Sequence, residues 1–126
     1  MYLGDHFQKI KKKYHKIFFS GICFDHRKIK KNYIFFAIKG NNLDGNNFIP
    51  SVIKKGCKII VTEKNFGEWK NGVLFINTKN IRKLLAQISF SIFKKKPNNL
   101  IAVTGTNGKS SVSDFYYQIL RLNNKK

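Results

Sequence analysis

Apolar residues recur along this chain at two spacings, and the alternation between them predicts its elements. Phe7, Ile10 and Tyr14 fall at i, i+3 and i+7 within DHFQKIKKKY, residues 5–14, which predicts a short amphipathic helix with Asp5 as its N-cap. ICF (22–24) and YIFFAI (33–38) read as strands, the second so uniformly apolar that both its faces must be covered. KGNNLDGNN (39–47) is a Gly/Asn-rich loop. Phe48, Ile49, Val52 and Ile53 then predict a core-facing helix over 47–55, closed by Gly56. A strand at 57–62 (CKIIVT), a polar loop at 63–71 and a strand at 73–77 (VLFIN) follow. The clearest helix spans 79–93, where Ile81, Leu84, Leu85, Ile88 and Ile92 repeat at helical spacing. KKKPNN (94–99) breaks that pattern and predicts a linker. Strand 100–104 (LIAVT) runs into a glycine loop, and a last helix from near Lys109 carries Val112, Phe115, Tyr116 and Ile119 on one face. Strands alternating with helices predict α/β layers.

Composition changes this picture little. The 126 residues suffice for one ordinary domain with a real core. A formal charge of +19 first suggests nucleic acid or an anionic membrane. Yet Lys, Asn, Ile and Phe, all encoded by A/T-rich codons, make up 64 of the 126 residues, so base composition accounts for the excess. The lysines are scattered, with short runs at Lys11–Lys13 and Lys94–Lys96, instead of interleaving with aromatics. The expectation is therefore no nucleic-acid partner, while an anionic substrate fits either reading. Cys23 and Cys57 sit in separate strand-like runs without CxxC spacing, which predicts buried thiols and no metal site. No run approaches a membrane span, and the N-terminus lacks a signal-peptide pattern, so a cytoplasmic location is expected.

The chemistry is concentrated in IAVTGTNGKSS, residues 101–111. A strand, a tight glycine turn and a helix opening on Lys and Ser form the recipe for holding a polyphosphate. Backbone N–H groups approach the phosphate oxygens, the helix N-terminus adds a positive dipole end, Lys109 adds a charge, and a hydroxyl can ligate Mg²⁺. The usual G-x-x-x-x-G-K-[ST] spacing fails, because Val103 stands five before Gly108; the loop is a shorter G-x-x-G-K-S starting at Gly105. An ordinary Asn-Gly turn before a helix is the competing reading of Asn107-Gly108.

VTGTNGKSS resembles the ATP loop of the Mur ligase superfamily, which reads TGTNGKTT, and which also includes the folylpolyglutamate synthetases. Residues 25–63, DHRKIKKNYIFFAIKGNNLDGNNFIPSVIKKGCKIIVTE, resemble the first domain of the UDP-N-acetylmuramyl-tripeptide synthetase family (MurE), with its DSR, G-x-x-x-DG-x-x-F-I and following hydrophobic strand. Thr106-Asn107 and Asp44-Gly45 favour MurE over the related MurF ligases. Two departures stand out. The family's DSR is Asp25-His26-Arg27, so that His26 replaces a Ser that contacts uridine, and the Gly-Asp before the second strand is Asn32-Tyr33.

The resemblance implies a Mur-ligase-type N-terminal α/β domain over 1–95 that binds the UDP-substrate, followed at 96–126 by the first strand, P-loop and helix of an ATP-binding central domain. It places the uridine nucleotide at Phe24, His26, Asn41, Asn42 and Leu43, and ATP at Gly105, Thr106, Asn107, Gly108, Lys109, Ser110 and Ser111, with Ser110 on Mg²⁺. Asn41 and Asn42 are equally readable as turn formers, and Asp25 and Arg27 as pairing with each other or capping the turn. The implied reaction joins a diamino acid, diaminopimelate or Lys, to UDP-N-acetylmuramoyl-L-alanyl-D-glutamate through an acyl phosphate, in a monomeric enzyme with no nucleic-acid or membrane partner. The chain is expected to be an N-terminal fragment, inactive by itself and with no catalytic residue of its own. Two other readings stay open: another superfamily ligase, MurF-like or folylpolyglutamate-synthetase-like, and a basic stand-alone module binding nucleic acid or polyphosphate.

Overall fold

The computed structural model describes residues 1–93, 97 and 100–123. The chain divides into two compact units, Met1–Lys94 and Lys95–Lys126.

The first unit is built on a five-stranded sheet of order β1-β2-β3-β5-β4. Strands β1 (Gly21–Cys23), β2 (Tyr33–Phe36), β3 (Ile59–Thr62) and β5 (Val73–Asn77) are parallel. The edge strand β4 (Trp69–Lys70) runs antiparallel to β5. Parallel strands need both faces covered, and alternate side chains of the apolar runs divide between two cores. Ile34, Phe36, Ile59, Val61 and Leu74 face one layer with Ile81 and Ile88 of helix α3 (Ile81–Ile92) and with Leu3, Phe7 and Phe19. Phe35, Ile60, Val73 and Phe75 face the other, against Ile49 and Val52 of helix α2 (Ile49–Lys54). The α/β expectation holds.

Several boundaries differ from the sequence-based expectation. Residues 5–14 are not one helix: α1 covers only Leu3–His6, with a 3-10 turn at Lys12–Tyr14. Asp5 lies inside α1 and does not cap it. The segment is the turn between two paired stretches, with Leu3 N–H donating to Ile17 O and Gly4 N–H to His15 O on either side of it, so this pairing outweighs a helical period of three residues. Phe7 is nevertheless buried, with Ile10 and Tyr14 packed against the same core. The loop expected at 63–71 contains β4, joined to β5 by the two-residue turn Asn71-Gly72. A two-residue strand is too short to show a period, although the Asn-Gly pair is itself a hairpin signal.

The larger correction concerns residues 100–104. No strand forms there, and Leu100 and Ile101 are exposed. A β-strand exists only by pairing, and among the described residues none pairs with this apolar run. Helix α4 (Lys109–Leu122) does form, but it buries none of its residues. The predicted linker at 94–99 lies mostly outside the described residues, as 94–96 and 98–99 do.

Candidate functional site

Because β1, β2, β3 and β5 are parallel, the loops that follow them emerge at one end of the sheet. Ligands of open α/β sheets bind at that end. The loop after β1 carries Phe24 and His26, and the loop after β2 carries Asn41, Asn42 and Leu43, so the structure gathers the five candidate nucleotide residues at one sheet end. Phe24 is 66% exposed and Leu43 67%, two large apolar side chains left in solvent beside the polar Asn41 and Asn42, which are also exposed.

Asp25 and Arg27 pair with each other, as one of the two open readings held. The Arg27 guanidinium donates from Nε to Asp25 Oδ1 at 3.0 Å and from Nη2 to Oδ2 at 2.9 Å, and the Arg27 backbone N–H adds a third bond at 3.0 Å. These bonds hold the Asp25 carboxyl well below the usual carboxylate range and raise Arg27. The pair stiffens the turn around His26. The His26 ring lies flat on Phe48, with centroids 3.9 Å apart and planes 4° from parallel. Lys55 Nζ donates to His26 O at 3.0 Å. One face of the imidazole is thus committed to the protein, so His26 acts first as a brace between the two loops.

The second loop is built just as firmly. Asp44 caps the 3-10 turn Gly45–Phe48, its Oδ1 accepting from Asn46 N–H at 2.9 Å. Bonds from the Asn46 side chain and backbone, with Lys64 Nζ at 3.1 Å adding its charge, lower the Asp44 pKa to about 2. Thr62, fully buried at the end of β3, donates to Asn46 Oδ1 at 2.7 Å and accepts from Lys64 N–H at 3.1 Å. Gly45 is required by contact: a Cβ there would lie 2.6 Å from Ile38 O and 2.7 Å from Ile38 N. The Asp-Gly of the sequence is therefore a packing necessity under the loop. Phe48, Asn46, Thr62 and Lys64 were not site candidates from sequence. Phe48 alone had a signal, in the DG-x-x-F spacing, but it reads equally well as core.

In the second unit the candidate ATP residues are all exposed: Gly105–Gly108 bend into α4, and Lys109, Ser110 and Ser111 open the helix. Gly108 is the N-cap at φ 76°, ψ 0°, the left-handed region that glycine enters without steric cost. The α4 N-terminus receives no side-chain cap, whereas α3 is capped by Asn80 Oδ1 accepting from Lys83 N–H at 2.9 Å. Lys109 Nζ folds back over the bend, donating to Gly105 O at 2.5 Å and Thr106 O at 3.2 Å. Uncapped helix amides with a lysine beside them fit a polyphosphate. For a metal the donor set is thinner. Among the described residues no group of three or more His, Cys, Asp or Glu could hold an ion.

A family model described as "Mur ligase family, catalytic domain" matches residues 19–90, more than half of the chain, and the chain belongs to the Mur ligase family. That match lies within the first unit and ends before the glycine loop. The chain is 38% identical, over 90% of its length, to the UDP-N-acetylmuramoyl-L-alanyl-D-glutamate–2,6-diaminopimelate ligase of Rickettsia prowazekii (strain Madrid E). It is 46% identical over 79% of its length to the protein so named from Clostridium tetani (strain Massachusetts / E88). It spans 23% and 21% of those two relatives. Among solved structures, the MurF ligase of Thermotoga maritima in complex with ADP matches with a TM-score of 0.61 at 21% identity, covering 79% of this chain and 23% of that one. At that identity the likeness speaks for the fold.

Proposed function

We propose that this chain is part of an ATP-dependent, amide-forming ligase of peptidoglycan precursor synthesis, which adds diaminopimelate to UDP-N-acetylmuramoyl-L-alanyl-D-glutamate. The observation that carries the substrate half is the pairing of exposed Phe24 and Leu43 with exposed Asn41 and Asn42 at the C-terminal end of a parallel sheet. Apolar side chains cover the faces of a base, and amides meet its polar edge and the diphosphate. Residues 1–95 are the substrate domain in this reading, and 96–126 begin the ATP-binding domain. His26 faces the uridine from a ring already fixed by Phe48. Relatives named as diaminopimelate ligases support that amino acid over Lys.

Gly105–Ser111 hold the ATP polyphosphate, with Lys109 placed to offset charge on the terminal phosphates and the Ser110 hydroxyl placed for Mg²⁺ bound to them. ATP supplies the phosphoryl group that turns the substrate carboxylate into an acyl phosphate, from which the amine of the diamino acid displaces phosphate. In the structure Lys109 is held by the loop's own carbonyls, so phosphate binding must exchange those bonds for stronger charge-assisted ones. In this reading the 126-residue chain is inactive by itself. The working form is a cytoplasmic monomer with no nucleic-acid or membrane partner. No helix among the described residues is long and apolar enough to cross a membrane.

Titration of the isotope-labelled chain with UDP tests the substrate half. Amide shifts should appear at His26 and Asn41–Leu43 and should not be reproduced by inorganic pyrophosphate. Shifts confined to lysine-rich segments, equal for both compounds, would show non-specific anion binding and sink the assignment.

A further inference from the structure

Residues 39–44 form a miniature hairpin whose tip is the exposed Asn41-Asn42-Leu43. Lys39 and Asp44 make an isolated antiparallel bridge at its base. Within it Gly40 N–H donates to Leu43 O at 2.8 Å, and Gly45 N–H donates to Ile38 O at 2.9 Å just below. So short a turn has little packing of its own. Its two legs are instead held by cationic side chains from two other elements. The Asp44 leg is held by Lys64, which follows β3. The Lys39 leg is held by Arg82, in the first turn of α3, whose Nη2 donates to Lys39 O at 3.1 Å across 43 residues of sequence.

Arg82 projects from an anchored base. Glu63 Oε1 accepts from Ile81 N–H at 2.9 Å, and Asn80 Oδ1 accepts from Lys83 N–H at 2.9 Å, so the backbone on either side of Arg82 is capped. Ile81, its neighbour, is 2% exposed. A guanidinium so mounted ties the Lys39 leg of the hairpin to the α3–sheet core, as Lys64 ties the Asp44 leg. Rigidity matters at this place because a mobile loop binds in proportion to the fraction of time it spends in the competent shape.

We propose that Arg82 is a positioning residue of the nucleotide site, which through Lys39 O holds the 39–44 hairpin in its binding shape. The inference rests on the reading of Asn41–Leu43 as nucleotide contacts. Neither the charge nor the position of Arg82 marks it in the sequence, where it is one more cation on a solvent-facing turn.

The test uses the whole 126-residue chain, with amide exchange and UDP titration measured on the same samples. Arg82→Ala should raise exchange at Gly40 and Gly45 and weaken UDP binding by about threefold to tenfold, the effect of losing one hydrogen bond that holds the competent state. Exchange at Ile88, in the middle of α3, should not change. Arg82→Lys, which keeps a donor, should recover part of both effects, and Arg82→Gln replaces the Ala variant if that fails to fold. Unchanged exchange at Gly40 and Gly45 would overturn the proposal, and so would a rise at Ile88 that matches theirs. Should the unsubstituted chain ignore UDP, the nucleotide reading itself falls and this role with it, whereas binding that survives in Arg82→Ala removes the role of Arg82 alone.

Discussion

His26 and Phe48, 22 residues apart in sequence, stack face to face with 3.9 Å between ring centroids and 4° between ring planes. The contact joins the loop after β1 to the turn after β2, so the two halves of the candidate nucleotide site share one fixed reference. Aromatic pairs of this kind contribute about 0.5–1.5 kcal/mol beyond their area. A double-mutant cycle with His26→Ala and Phe48→Ala, read by urea denaturation, should therefore return a coupling of about that size. Strict additivity would mean that the rings merely lie near each other.

Gly45→Ala should be among the most damaging small substitutions in the first unit. The added methyl would sit 2.6 Å from Ile38 O, against backbone that cannot step aside. Overpacking of this kind costs about 1–3 kcal/mol, which in a domain of this size lowers the melting temperature by roughly 4–20 °C. A variant that melts with the parent would show that the turn is looser than its contacts imply.

Acid sensitivity should be traceable to Asp44. Its folded pKa of about 2 lies below the ordinary 3.8, chiefly through the Asn46 bonds and then Lys64. A depressed carboxylate contributes stability in full above its unfolded pKa and loses it as pH falls through the folded value. The loss should thus fall between about pH 4 and pH 2. Asp44→Asn removes this ionisation, so its urea midpoint should drop less over that window than the parent's. Identical acid limbs would leave Asp25, also held below its usual range by Arg27, as the group to examine.

Residues 100–123 should exchange their amide hydrogens faster than residues 20–92. The apolar run at 100–104 has no strand partner among the described residues, and α4 is a 14-residue helix with no buried side chain. Helices of about 12–15 residues are marginal in water without packing. Equal protection in both segments would show that the glycine-loop unit is stabilised by something these contacts do not include.

In the whole ligase that this chain is proposed to belong to, Lys109→Ala should lower ATP-dependent amide formation by about 100-fold or more, the usual effect of removing a group that offsets developing charge. Binding of the UDP-substrate should persist, because the residues proposed to bind it lie in the other unit. Near-normal turnover would remove the ATP-loop assignment.

Legibility of the site followed the range of the interactions behind it. The glycine loop, Lys109 and the DG turn are local devices, each written in a few consecutive residues, and each was visible as a motif. Asp25 and Arg27, two apart, could be expected to pair because their side chains reach each other from adjacent turn positions. The brace of His26 on Phe48, the Asn46–Thr62–Lys64 network and the Arg82 strap each join loops or elements that only the fold brings together. No spacing rule could announce them.

By itself the sequence determined that the strand at 33–38, apolar on both faces, would lie in a covered sheet with strands at 57–62 and 73–77 and the helix at 79–93 packed on it. Burial of those side chains is favourable in any arrangement that hides them, so the pattern suffices. The tertiary structure decided what depends on partners. Residues 5–14 gave up a helical period to the turn that lets residues 1–4 pair with 15–19. Residues 100–104 kept their apolar character and yet form no strand. Helical hydrogen bonds are satisfied within the segment, while strand hydrogen bonds must be found elsewhere in the fold.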